Sequence, residues 1–217
     1  MTAIAPAPEA PAPDSRVVFS NVSWETYEAL TQDRGAGGPR LAYDRGVLEA
    51  MSSSIQHEKW KSLIGALVRA YSEELGIDLQ GSGCTTFRSQ LRKRGLEPDD
   101  SFYVAHEASI RQVESLDLET HPPPDLAVEI ELTRSSLDQL NMYAALKVPE
   151  VWSRDAAGVV ARCLEPSGSY RIVEKSAALP GLAIAELNRF LAMAGTRSET
   201  QIVRELRVWV CGQVKPC

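Results

Sequence analysis

The residues best suited to chemistry in this chain lie in one run, Asp125-Leu126-Ala127-Val128-Glu129-Ile130-Glu131-Leu132. Strict alternation puts Leu126, Val128, Ile130 and Leu132 on one face of an extended strand and Asp125, Ala127, Glu129 and Glu131 on the other. Two glutamates on one face of an otherwise apolar strand repel each other, and burying either uncompensated is costly. A divalent cation would remove both costs, since hard oxygen ligands are what Mg²⁺ takes. The plainer alternative is a half-exposed edge strand with a solvated acidic face.

Two further acidic elements weigh toward the cation. Pro98-Asp99 stands at the mouth of a β-prone run, Ser101 to Val104, and Glu49 closes the run Arg40 to Met51, where Asp44-Arg45-Gly46 reads as a hairpin turn. Asp99, Glu129 and Glu49, brought together, suit an ion that polarises a phosphoryl oxygen and helps generate hydroxide, the need of phosphodiester hydrolysis. Asp125 competes with Asp99, being the Pro-Asp nearest Glu129. Four residues along a strand span about 13 Å, too far for one ion, so Asp125 is read as a turn residue at the start of the strand. His57 follows Ser52-Ser53-Ser54 and opens a long helix; it reads either as a group touching phosphate or water, or as a surface histidine beside a helix N-terminus.

The order Glu49, His57, Glu97-Pro98-Asp99, Pro124-Asp125-Leu126-Ala127-Val128-Glu129, Tyr143 and Val148-Pro149-Glu150-Val151-Trp152 resembles the Uma family of "putative restriction endonucleases" within the PD-(D/E)XK nuclease superfamily, over about Val22 to Leu191. The resemblance implies a three-layer α/β nuclease core with Mg²⁺ or Mn²⁺ held by Asp99 and Glu129 and assisted by Glu49. DNA is the implied substrate, with RNA left open. One departure stands out. The superfamily carries a lysine two residues after the metal-binding glutamate, where this chain has Glu131, and many relatives carry it four residues before the tyrosine, where this chain has Gln139. A neutral amide hydrogen-bonds but supplies no charge, so weak activity is expected. Lys59, Lys61 and Arg134 are the nearest spare cations, and Gln139 also suits the third helical position of a capping box opened by Ser136. Tyr143 reads as core, and Glu131 or another group positions the attacking water.

Around these residues the hydrophobic period gives a helix from His57 to Leu75, with Trp60, Leu63, Ile64, Leu67, Val68 and Tyr71 inward and Gly76 ending it. Strands are expected near 78–81, 85–91, 101–104 and 125–132, a helix after Ser135–Ser136, a strand at Val148–Trp152 and a hairpin over 159–174. A helix over 184–193 and a last one capped by Ser198 and Gln201 follow. This order predicts an α/β (α+β-like) fold, a restriction-endonuclease-like core with a mixed central sheet flanked by helices. Residues 1–15 read as a disordered Pro/Ala-rich tail, 16–195 as one nuclease-like domain and 196–217 as a C-terminal helix and tail.

The 217 residues carry a net charge of −6, with 44% hydrophobic and 24% charged residues. That balance speaks against a protein coating nucleic acid non-specifically; the best local basic patch is Arg88, Arg92, Lys93 and Arg94. No apolar run spans a membrane, and cytoplasmic residence is the default. Four cysteines without close pairing and three histidines argue against zinc. The leading expectation is a metal-dependent DNA endonuclease. Its rivals are a catalytically degraded nuclease-fold module binding nucleic acid or a protein partner, and a hydrolase of small phosphoesters. A homodimer is among the open oligomeric states.

Overall fold

The strand carrying Glu129 is central, not an edge. In the computed structural model, which describes residues 14–33, 38–133 and 135–213, the elements run β1 (Ser15–Ser20), α1 (Trp24–Asp33), β2 (Arg40–Asp44), β3 (Val47–Ser52), α2 (Ile55–Glu74), β4 (Gln80–Gly81), β5 (Phe87–Ser89) and β6 (Arg94–Leu96). They continue with β7 (Asp100–Tyr103), α3 (Glu107–Ile110), β8 (Leu126–Ile130), α4 (Gln139–Ala145), β9 (Glu150–Asp155), β10 (Gly158–Leu164), β11 (Tyr170–Val173), α5 (Ile184–Leu191) and α6 (Glu199–Gln213). One sheet has the order β11-β10-β9-β8-β7-β4 and the other β1-β3-β2-β6-β5. β8 pairs parallel with β9 and antiparallel with β7, so the larger sheet is mixed.

Alternation along β8 then sorts the core into layers. Leu126, Val128 and Ile130 pack with Leu63, Ile64, Leu67 and Tyr71 of α2 and with Leu187, Phe190, Ile202 and Leu206 of α5 and α6. Ala127, from the opposite face, packs with Phe87, Leu96 and Ala42 of the smaller sheet and with Met142 and Tyr143 of α4. Glu129 shares that second face and is therefore roofed by the smaller sheet, 7% exposed. Burying each large aliphatic side chain contributes roughly 1.5–3 kcal/mol, which lets β8 hold a carboxylate where water would otherwise be needed. The half-exposed edge strand is thereby excluded.

The hairpin that brings Glu49 turns at Arg45 and Gly46, whose φ values of 45° and 101° match the two positive angles of a type I′ turn. Ser54 caps α2, accepting from the His57 backbone N–H at 3.2 Å, and Gly76 at φ 63° follows its end. The capping box of α6 forms as expected, with Gln201 N–H donating to Ser198 Oγ at 3.3 Å and Ser198 N–H to Gln201 Oε1 at 3.0 Å.

Several expectations need correction. Asp14 and Ser15 do not belong to a tail: Asp14 is buried and Ser15 begins β1, which pairs with β3. The short strand β6 and helix α3 carry too few residues to show a period. α4 begins at Gln139 with Asp138 as its cap, accepting from Asn141 N–H at 3.1 Å, so Gln139 is the first helical residue and closes no capping box with Ser136. The basic patch also disperses: Arg94 is buried against Asp44, Arg88 reaches Thr31, and Lys93 lies over Trp24.

Candidate active site

β7 and β8 place the two principal carboxylates side by side. Asp100 pairs with Val128 in the antiparallel register, and Asp99, just before β7, bonds the β8 backbone on both sides of Glu129. The Asp99 N–H donates to Val128 O at 3.0 Å, and the Ile130 N–H donates back to Asp99 Oδ2 at 2.6 Å. Asp99 is 1% exposed. Its other oxygen, Oδ1, lies 2.7 Å from His57 Nε2 and pairs with Arg40 of β2. Asp100, one residue on, points to the opposite face toward Arg69.

His57 is fully buried, not a surface residue. Its Nδ1 meets Asp14 Oδ2 at 2.9 Å, while Arg40 Nη2 approaches Nε2 at 2.8 Å. Burial, with Arg40 helping, holds its pKa below the usual histidine value against the pull of Asp14, so the ring is neutral at pH 7.

Glu129 accepts a hydrogen bond from the Tyr143 hydroxyl. Burial pushes its pKa from 4.5 up to about 7, with Glu131 adding to the rise; the Tyr143 hydroxyl, Arg40 and Arg16 oppose it. A carboxyl so placed is short of positive charge. Glu49, from β3, is held by Arg16, by Ser135 Oγ at 2.9 Å and by the Ser136 N–H at 2.8 Å. Ser135 and Ser136 thus fasten Glu49 instead of opening the helix. Glu97 accepts from Leu41 N–H at 3.1 Å and Thr86 Oγ1 at 2.6 Å.

Glu49, Glu97, Glu129, Arg16, Arg40 and Gln139 line one small cavity of about 20 Å³, room for about one water or ion. The carboxylates are hard oxygen donors, chemically right for a divalent cation. As arranged, no three His, Cys, Asp or Glu side chains converge on one point among the described residues. At Asp99 the Arg40 guanidinium and His57 Nε2 both lie on Oδ1, and the Ile130 N–H lies on Oδ2.

Residues 24–194 match the family described as Uma2, "Putative restriction endonuclease", which is most of the chain. The chain belongs to that family. A crystal structure of a "putative nuclease belonging to DUF820" from Anabaena variabilis ATCC 29413 is similar in fold, with TM-score 0.53 and 15% identity over 85% of this chain and 99% of that one. No curated protein matches.

In this Uma2 chain Glu49, Glu129 and Gln139 line one cavity, while Asp99, with His57 on its Oδ1, lies against the β8 backbone on either side of Glu129. Glu131 is exposed and acts on Glu129 through its charge. Tyr143 is core by its ring and a site residue by its hydroxyl. Of the spare cations, Lys59 is exposed, Lys61 pairs with Glu58 at 3.6 Å, and Arg134 lies outside the described residues. The guanidinium groups that do reach the cavity, Arg16 and Arg40, were missed, as was Asp14, and Glu97 was read only as part of the Glu97-Pro98-Asp99 motif, with no role. Arg40 had a signal: it opens the strand that runs antiparallel to the one carrying Glu49. Asp14, at the end of a Pro/Ala-rich run, had none. Asp125 bonds Val104 N–H at 2.7 Å and His106 Nδ1 at 2.6 Å, which fits its assigned role at the turn into β8. Glu150 accepts from Trp152 Nε1 at 2.6 Å and from the Ala177 and Ala178 N–H groups at 2.8 and 2.7 Å; it anchors a loop.

Proposed function

We propose that this chain is a metal-dependent endonuclease of the cytoplasm that hydrolyses DNA phosphodiester bonds. Membership of the Uma2 family and the nuclease-like fold support the reaction class. The observation that carries the site is Glu129, buried beside Asp99 with its pKa pushed up by burial, at a cavity it shares with Glu49 and Glu97. Asp99, Glu129 and Glu49 would hold Mg²⁺ or Mn²⁺. When bound, the ion supplies a polarised phosphoryl oxygen and an acidified water.

The protein's own groups set the geometry. Tyr143 fixes the Glu129 carboxyl, the Ile130 N–H and His57 fix Asp99, and the Ser135–Ser136 pair with Arg16 fixes Glu49. Glu131, exposed beside Glu129, orients the attacking water. Gln139 offers hydrogen bonds at the place where relatives supply an ammonium. The test is supercoiled plasmid with Mg²⁺ or Mn²⁺: nicking that disappears in the Asp99→Ala/Glu129→Ala double variant supports the reading. Equal nicking by both proteins, or none by wild type across metals and salt, rejects it.

A second reading is favoured by one observation. The acidic centre already holds two arginines and lacks the lysine, as a degraded nuclease fold that only binds nucleic acid or a protein partner would. It predicts DNA binding that is unaffected by EDTA and free of cleavage.

A further inference from the structure

Arg40 sits where three requirements meet. It is the first residue of β2, its side chain is 13% exposed, and it pairs with Asp99 while lining the same cavity as Glu129 and Gln139. Arg16 lines the same cavity, tied to Glu49 and through Nε to Thr133 Oγ1 at 3.0 Å.

The position Arg40 holds is contested. His57 Nε2 lies 2.7 Å from Asp99 Oδ1 and 2.8 Å from Arg40 Nη2. A ring nitrogen carries either a proton or a lone pair. With the proton it serves Asp99 and confronts the guanidinium; with the lone pair it serves Arg40 and confronts the carboxylate. Another cation at Asp99 would release this conflict by letting Arg40 leave. The freed group is a planar fork of five donors, shaped for phosphate oxygens and permanently charged.

We propose that Arg40 is the resident counter-cation of the acidic centre, displaced from Asp99 by a divalent ion and then engaging the scissile phosphate in place of the absent lysine. The displacement rests on the geometry alone; the phosphate role rests on the nuclease reading.

The test pairs calorimetric titration of metal-stripped protein by Mn²⁺ alone with plasmid nicking. Arg40→Gln is expected to bind Mn²⁺ on the order of tenfold more tightly or better, because a competing unit charge is gone. The same variant is expected to lose cleavage by on the order of 10²-fold. Arg40→Lys retains most cleavage, and Gln139→Lys placed on Arg40→Gln restores part of it by returning a cation to the cavity. Weaker or unchanged Mn²⁺ binding by folded Arg40→Gln overturns the displacement; undiminished cleavage overturns the phosphate role. Tighter Mn²⁺ binding in a protein that never nicks DNA supports the displacement while the endonuclease reading falls. Should Arg40→Gln fail to fold, the wild type decides by NMR. Saturating Mg²⁺ is expected to shift the Arg40 Nε–H and His57 ring resonances, and the Arg40 signal is expected to stay put in Asp99→Asn. An Arg40 signal unmoved by Mg²⁺ in wild type overturns the proposal.

Discussion

Replacing Glu129 by Gln should change stability in a pH-dependent way that no packing argument reproduces. The unfolded chain releases this proton near 4.5 and the folded chain near 7. Between those values the unfolded state binds fewer protons, so the contribution of Glu129 to wild-type stability falls as pH rises. A rise from 4.5 to about 7, at roughly 1.36 kcal/mol per unit, corresponds to about 3 kcal/mol once the pH exceeds both values. The amide keeps the acceptor for Tyr143 but brings hydrogens that need partners, a cost of about 1 kcal/mol at every pH. Urea unfolding in EDTA at pH 5 and pH 8.5 isolates the proton term as the change in the mutant-minus-wild-type gap. That gap should move by about 2–3 kcal/mol in favour of Glu129→Gln at the higher pH, with the m-value unchanged. A flat gap, or one that moves against the variant, would refute the argument that burial raises the Glu129 pKa.

Other consequences are as direct. Tyr143→Phe removes the hydrogen bond that opposes the rise at Glu129, so the rise of metal-dependent cleavage with pH should shift to higher pH; a profile that shifts lower contradicts the assignment. His57 behaves oppositely to Glu129: its folded pKa lies below 6.5, so wild-type stability is lost as pH falls through that region, and His57→Gln should flatten this acid limb in EDTA. Asp125→Ala breaks the bonds to Val104 and His106 and should cost about 1–3 kcal/mol of stability while folded protein retains cleavage. If Asp125→Ala abolishes cleavage and Asp99→Ala spares it, the two aspartates have been assigned the wrong way round.

The alternation of residues 125–132 disclosed both the strand and which face carries Glu129, because a period of two survives without tertiary information. What it could not disclose was that the acidic face is roofed. That depends on β2, β5 and β6 forming a second sheet, and β6 is three residues long. The Arg40–Met51 hairpin was legible from Asp44-Arg45-Gly46, since a two-residue turn with positive φ has local chemistry. Its partnership with β6 is a contact between residues about fifty apart, Tyr43 with Gly95 and Asp44 with Arg94, and local pattern is silent on that. The site follows the same division. Asp99, Glu129 and Glu49 announced themselves as carboxylates in strand-like runs. Arg40 opens β2 and Arg16 is the second residue of β1, strand ends where an arginine is ordinarily read as solvated. Asp14 ends a run whose composition suggests a linker, yet it holds a buried histidine.

The central claim is that Asp99 and Glu129 form one divalent-cation site that cleaves DNA. Anomalous diffraction from crystals soaked in Mn²⁺, at a concentration that supports plasmid nicking, tests it most directly. A peak within reach of the Asp99 and Glu129 carboxylates is expected, with the Arg40 guanidinium turned away from Asp99. A peak elsewhere, or an empty site with Arg40 still on Asp99, would contradict it.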